Sequence, residues 1–356
     1  MATAVVKERE EEVARECQQL TQEIAFFSLP LDQCRALSLN ILLQSFSASS
    51  PRYTLQQLSG FISKVQLGYP ENPFHNFYHA TAVLQNAHIV ITTTNRGRSL
   101  SPELKLACLL AAFCHDIGHR GFTNTFEHNR ALLTHSQLDS VLEKMHVSLT
   151  TQLLLECDME ITSRMRKVIC EAIMGTDMKL HSSFVGQVAS QRLQLDDDFL
   201  VSGIVKLSDL SSQTYGFDQA ELWGRRITQE FNNQVMWEDA LGMDKPSVPF
   251  CELEHDFYSG QVFFIKTFAL PLWETVCQVC PELVFKQQQL GANLSMYAAK
   301  ASNPSLLSLT EEFKPTRRTR NKPPTPQPVV FTPPYHYLFQ AALLTGAVAL
   351  YRLSVV

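Results

Sequence analysis

The sequence is short of glycine, of net charge and of alternating hydrophobic pattern. Only 14 glycines stand among its 356 residues, and no Asn-Gly or Asp-Gly pair occurs, so the strongest hairpin signal is missing. A turn-rich all-β chain is excluded. Charged residues make up 18% against 45% hydrophobic, which is too little charge and too much apolar material for a disordered chain. The formal net charge of −5 leaves no global basic field to recruit nucleic acid. Nine cysteines without even, tight spacing do not describe a disulfide framework. The first 25 residues carry Lys7, Arg9, Arg15 and several glutamates but no apolar run. No signal peptide is expected, and a reducing, cytoplasmic setting is.

What is abundant is helical periodicity and, locally, histidine. Leu39, Leu42, Leu43 and Phe46 share one face, as do Leu55, Leu58, Phe61, Ile62 and Val65. Ser101-Pro102-Glu103 reads as a helix start, with an N-cap, proline at the first position and an acid in the first turn. The helix it opens, Leu104 to His115, is apolar nearly all round and should be buried. Further helices are expected at about 140–156, 161–174, 197–211, 218–234 and 258–280. The fold class is therefore all-α, a compact multi-helix domain. Residues 1–36 form a charged helix or arm, 37–300 the helical domain, 301–334 a Pro-rich basic linker and 335–356 an apolar tail. Eight of the 17 prolines lie between Pro304 and Pro334, which suits an extended linker. Spanning a bilayer takes roughly 20 apolar residues. Residues 337–356 reach that length only with Gln340 and Arg352 included, so a C-terminal membrane tether is one reading and a docking helix the other.

Of 11 histidines, eight fall between His75 and His146. His75-Asn76-Phe77-Tyr78-His79, if helical, puts both imidazoles on one face. His115-Asp116 ends the buried helix, with His119 after it. Asp209 closes another apolar helical run, and Gln261 stands inside Gly260-Gln261-Val262-Phe263-Phe264. Histidine and aspartate with few cysteines nearby suit Zn²⁺ or another divalent ion, and a second carboxylate adds charge for a harder ion that keeps its waters. An HxxxH, a His-Asp at a buried helix end and a distant Asp form the pattern of HD-type metal-dependent phosphohydrolases.

The order of segments resembles the catalytic domain of class I 3′,5′-cyclic-nucleotide phosphodiesterases over roughly residues 37–290. The motif HNxxHA stands as His75 to Ala80, and HDxxHxGxxN as His115 to Asn124. Leu142-Glu143-Lys144-Met145-His146 resembles LExxH, and Thr176-Asp177-Met178 with His181 matches the TDM segment. Ser208-Asp209-Leu210-Ser211 resembles ADLS. Trp223, Ile227, Glu230-Phe231, Gln261-Val262 with Phe264, and Pro271-Leu272-Trp273-Glu274-Thr275 complete the series.

The resemblance implies hydrolysis of cAMP, cGMP or both to the 5′-monophosphate. It implies that His79, His115, Asp116 and Asp209 bind a first metal ion, Zn²⁺, and that Asp116 bridges to a second, Mg²⁺ or Mn²⁺. His75 is the general acid for the leaving O3′, a metal-bridging hydroxide being the nucleophile. Glu143 is placed with it among the catalytic groups. His119, Thr176 and His146 hold the waters of the second ion. Gln261 reads the purine edge, and Phe264 and Ile227 sandwich the base. Another HD-type phosphohydrolase and a non-hydrolysing cyclic-nucleotide sensor are the alternatives. Three departures stand out: Phe74 where Tyr is common, Ser212 where Asn is, and Gly118 where an acid often stands. His88, His128, His135 and His255 read as polar surface or capping residues, Cys277-Gln278-Val279-Cys280 as core packing, and Asp196-Asp197-Asp198 as a charged helix start.

Overall fold

The computed structural model describes residues 23–46, 53–132, 139–191, 195–243, 245–302, 309–310 and 312–313. The expected helical arm at Val5 to Leu20, His135 and the tail at 335–356 lie outside the described residues. Among the described residues there are fourteen α-helices and no β-strand. They are α1 (Leu31–Phe46), α2 (Leu55–Gly68), α3 (Phe77–Thr93), α4 (Asn95–Ser99), α5 (Pro102–Cys114), α6 (Asn124–Leu132) and α7 (Val141–Glu156). Then follow α8 (Ser163–Met174), α9 (His181–Gln191), α10 (Asp197–Asp209), α11 (Phe217–Ala240), α12 (Glu254–Phe264), α13 (Leu270–Val279) and α14 (Val284–Ala301).

Helix α5 is the axis of the core. Ser101 caps it by accepting from the Leu104 N–H at 3.3 Å, and Pro102 opens its first turn. From Leu104 to Cys114 every residue but Lys105 is buried, because the helix is wrapped by α1, α3, α8 and α10. An all-apolar helix has no face to give to water, so it must lie inside. The last turn of α5 therefore delivers His115 and Asp116 into the interior. Gly118 and Gly121 turn the chain away at φ of 82° and 78°, a region that favours glycine. A Cβ at Gly118 would also meet Leu149 Cδ1 at 2.5 Å.

Helices α11 to α14 close the other side. Between α12 and α13 the backbone widens into a π-helical turn, Ile265–Ala269. Pro271 has no N–H to return to the Thr267 carbonyl, which favours the wider register there. The helix expected at 258–280 is thus two helices with a π turn between them.

The packed unit reaches beyond the boundaries expected from the sequence. Phe26 is fully buried, and Phe27 packs on Trp223 with ring centroids 4.4 Å apart. On the far side Leu309 donates its N–H to the Glu252 carbonyl at 3.1 Å, and Phe313 is buried under Arg225 and Arg226. His88, expected at the surface, is 4% exposed on α3. Burial pushes its pKa down to about 4, so it stays neutral. The reason is that α3 is enclosed from Ala80 to Ile91. The eight described cysteines are all free, and each is buried or half-buried. Cys277 and Cys280 are core residues, as their helical setting suggested.

Candidate active site and metal centre

Three helices bring one cluster together. His79 comes from the first turn of α3, His115 and Asp116 from the end of α5, and Asp209 from the last residue of α10. One ligand atom from each lies within 4.8 Å of all the others. His79 Nε2 is 3.2 Å from His115 Nε2 and 3.2 Å from Asp209 Oδ1. His115 Nε2 is 3.1 Å from Asp116 Oδ2 and 3.3 Å from Asp209 Oδ1, and His79 Nε2 is 3.4 Å from Asp116 Oδ2. An ion about 2.0–2.1 Å from each of its ligands separates them by roughly 2.8–3.4 Å in octahedral or tetrahedral geometry. Five measured edges fall in that range, so the residues fit a metal ion.

The two acids of the cluster face a charged histidine. Burial works against a charged His115, but Asp116 and Asp209 outweigh it and keep its pKa well above the usual imidazole range. Burial likewise opposes ionised Asp116 and Asp209. The facing His115, with His79 hydrogen-bonded to both, nevertheless holds the two carboxyls below the ordinary carboxylate range.

The sequence expectation for His75 and His79 needs correction. They do not share a helix face, because α3 begins only at Phe77. Asn76 is its N-cap, extended at φ −134° and ψ −175°, and its Oδ1 accepts from the N–H groups of Tyr78 and His79. His75 lies before the cap. Its ring meets His79 edge-on, with centroids 5.6 Å apart, and its Nε2 stands 3.8 Å from Asp116 Oδ2.

Glu230 of α11 is the residue whose role sequence reasoning missed. Its carboxylate takes the His75 Nδ1–H in a short bond and accepts the backbone N–H groups of Phe74 at 3.0 Å and His75 at 3.1 Å. Burial lowers the His75 pKa. The charge of Glu230 and its hydrogen bond, then Asp116 and Asp209, outweigh that and lift it to about 9. Burial raises the Glu230 pKa, but His75 overrides it, and the carboxyl falls to about 2. Its sequence signal was its place in the Glu230-Phe231 string of the resemblance, which carried no role and lies more than 150 residues from His75. His119 stacks on His75 at 3.8 Å and accepts the Gly121 N–H through Nδ1 at 3.0 Å. Burial, then the charge of His75, holds it neutral.

The remaining expected residues frame this pair of clusters. His146 donates from Nδ1 to the Ile117 carbonyl at 2.7 Å. Its Nε2 is buried without a partner, 3.6 Å from Asp116 Oδ1. An acceptor nitrogen facing an acceptor oxygen needs something electropositive between or beside them, and a hydrated ion meets that need. Asn124 donates to both oxygens of Glu143, at 3.0 and 2.9 Å, and burial pushes that carboxyl up to about 7. Thr176 gives its hydroxyl proton to the Ile173 carbonyl at 2.8 Å. His181 closes on the Phe268 carbonyl at 3.1 Å and ties α9 to the π turn.

Gln261 lies on α12, 6% exposed, directly over Gly224 of α11. Ile227 is three residues beyond Gly224, and Phe264 three beyond Gln261, so each pair shares a helix face. The Gly224–Gln261 contact brings the two helices together at these faces. The Gln213 amide N–H₂ reaches Gln261 Oε1 at 3.4 Å.

Comparison with known proteins decides the family. The family model for 3′,5′-cyclic-nucleotide phosphodiesterases matches residues 74–290. The chain belongs to the 3′,5′-cyclic-nucleotide phosphodiesterase family. The match covers both clusters and Gln261. The chain is 29% identical over 275 residues to the cGMP-specific 3′,5′-cGMP phosphodiesterase 3 of Dictyostelium discoideum, covering 70% of this chain and 57% of the relative. It is 27% identical over 262 residues to the dual 3′,5′-cyclic-AMP and -GMP phosphodiesterase beta of Plasmodium falciparum, covering 67% and 23%. It thus spans little more than half of one curated relative and under a quarter of the other. The crystal structure of the phosphodiesterase domain of the RhoPDE fusion protein from the choanoflagellate Salpingoeca rosetta superposes with a TM-score of 0.73 at 28% identity. That likeness covers 80% of this chain and 96% of that domain. Phosphodiesterases of this family are metal-dependent, and the His79, His115, Asp116, Asp209 cluster could hold the metal.

Proposed function

We propose that the chain hydrolyses 3′,5′-cyclic nucleotides, both cAMP and cGMP, to nucleoside 5′-monophosphates. The observation that carries this is the His75–Glu230 pair standing beside the four-residue metal cluster. His79, His115, Asp116 and Asp209 would hold the first ion, Zn²⁺. Asp116 would be shared with a second, Mg²⁺ or Mn²⁺, whose waters face His119, Glu143, His146 and Thr176. Two such ions, when bound, neutralise phosphate oxygens and lower the pKa of coordinated water to about 7.

The chain's own residues supply the rest. Because Glu230 occupies His75 Nδ1, the free N–H is at Nε2, on the side of Asp116. That proton is placed to pass to the departing O3′, an alkoxide that leaves poorly without an acid. General acid catalysis of this kind contributes about 10²–10⁴-fold. Phe264 and Ile227 hold the flat base from its two faces. Gln261 offers it one donor and one acceptor.

The Gln213–Gln261 contact supports acceptance of both bases. Gln213 Oε1 is buried without a partner. If both amides turn over, one hydrogen bond replaces another and Gln261 presents its donor and acceptor in the reverse order. Adenine and guanine edges differ by that reversal. The test is kcat/KM for cAMP and cGMP on metal-analysed protein, with a chelated control. Turnover of neither nucleotide by the loaded protein rejects the proposal, and turnover of one alone rejects acceptance of both bases. The apolar stretch 337–356 would tether the enzyme to a membrane. Fusion of residues 323–356 to a fluorescent reporter tests this, and a diffuse cytosolic signal rejects it.

A further inference from the structure

We propose that Lys206 is a positioning residue for the second ion, acting through the Thr176–Asp177 turn that its side chain clamps. This rests on the two-ion reading above.

Lys206 lies on α10 one turn before Asp209, and it is 1% exposed. Its ammonium donates to three successive carbonyls, Gly175 at 2.9 Å, Thr176 at 3.3 Å and Asp177 at 3.3 Å. These follow the C-terminus of α8, where carbonyls lack partners and a cation is favoured. An ordinary helix end there would use a left-handed glycine. Gly175 is available but keeps a right-handed φ of −68°. The closing role has gone to a lysine whose charge is removed from water, a choice that is unfavourable unless nearby acids offset it.

Those acids belong to the site. Burial lowers the Lys206 pKa, and Asp209, Asp177 and Glu143 offset part of that fall. Asp177 accepts the Ser140 hydroxyl at 2.6 Å and the Lys179 N–H at 2.8 Å. Ser140 is the first cap residue of α7, held at a left-handed φ of 51°, and Glu143 stands in the first turn of that helix. One ammonium therefore joins the helix carrying Asp209 to the turn carrying Thr176, and through Asp177 to the start of the helix carrying Glu143. Thr176 and Glu143 are the groups assigned to the waters of the second ion. The first-ion cluster takes only Asp209 from this assembly.

The asymmetry makes the test specific. Lys206→Met keeps the length of the side chain and removes its charge and donors. Mn²⁺ binding is measured by calorimetry and by electron paramagnetic resonance on protein already loaded with Zn²⁺, without substrate. Groups that orient a metal's ligands and waters typically influence affinity by 10–100-fold. Lys206→Met should weaken Mn²⁺ by at least about tenfold on that scale, while Zn²⁺ content stays at one equivalent. Lys206→Arg, which keeps charge and donors, should recover most of the loss. Combining Lys206→Met with Thr176→Ala should add little to either change alone, since both act through one turn.

A folded Lys206→Met protein with a lower Tm and unchanged Mn²⁺ affinity overturns the assignment and leaves the lysine a helix cap. If Lys206→Met does not fold, Thr176→Ala alone carries the test. Unchanged Mn²⁺ affinity in that variant removes the route by which Lys206 acts and overturns the proposal. Wild-type protein that takes up a single ion overturns the two-ion reading instead, a result read before any variant is made.

Discussion

A buried carboxylate beside a histidine does two things at once, and the His75–Glu230 pair shows both. It orients the ring by taking Nδ1, and it keeps the ring charged by opposing the effect of burial. Glu230→Gln retains the shape but not the charge. It should lower kcat by about 10²–10⁴-fold, the range for losing a general acid, with Zn²⁺ content unchanged. In chelated protein the His75 resonance should titrate near 9 in the wild type and well below that in Glu230→Gln. The stability consequence has a definite sign. The His75 pKa is raised from 6.5 to about 9, so its share is complete below 6.5 and lost as pH rises to 9. The Glu230 pKa is lowered from 4.5 to about 2, so its share is complete above 4.5 and lost as pH falls to 2. The stability gap between wild type and Glu230→Gln should be widest between pH 4.5 and 6.5 in urea titrations of the metal-free protein. The four-residue cluster was legible because His79, His115, Asp116 and Asp209 sit in recognisable local strings. Glu230 sits in none that names its task, and only the fold brings it to His75.

Helix boundaries decide where these side chains point. Asn76 accepts two N–H groups of α3 and donates to the carbonyls of Asn72 at 2.9 Å and Pro73 at 3.3 Å. Asn76→Ala should cost about 0.5–2 kcal/mol of stability, the usual range for an N-cap, measured as a shift in denaturant midpoint. It should also blur the angle between His75 and His79. On α11, a Cβ at position 224 would lie 2.8 Å from Gln261 Oε1. The obstructed atom is the free end of a flexible side chain, so Gly224→Ala should fold normally and displace the Gln261 amide. The expected result is a raised KM for both nucleotides, little change in Tm and unchanged Zn²⁺ content. Most helices were readable from periodicity and caps, as with Ser101-Pro102 for α5 and Asp196 for α10. The start of α3 was not, because an asparagine between two histidines reads equally well as cap or interior. The π turn before Pro271 was hidden too, since a widened register leaves no apolar period of its own.

At the scale of the molecule, the first-ion cluster joins α3, α5 and α10, segments far apart in the chain. The protonated arrangement of His115 between Asp116 and Asp209 is what an arriving cation must displace. Binding should therefore release protons, seen as acidification of a weakly buffered solution when Zn²⁺ is added to chelator-treated protein at pH 7. Absence of proton release would contradict the charge state described for His115. Periodicity carries no sign of the packing at Phe26, Leu309 and Phe313. Phe26 and Leu309 belong to apolar stretches too short to show a helical period, and Phe313 follows two acids; their partners Trp223, Glu252, Arg225 and Arg226 tie them to the core.

The free thiols give this assembly a built-in clock. Cys114 is fully buried, burial raises its pKa, and it immediately precedes His115 and Asp116. A thiol in that state reacts with an alkylating reagent only while the end of α5 is open. Its labelling rate counts those openings, residue by residue with mass spectrometry. An ion held by the next two residues along the chain should slow that count in proportion to its occupancy. The half-buried Cys157 and Cys170 would keep faster time and serve as internal standards.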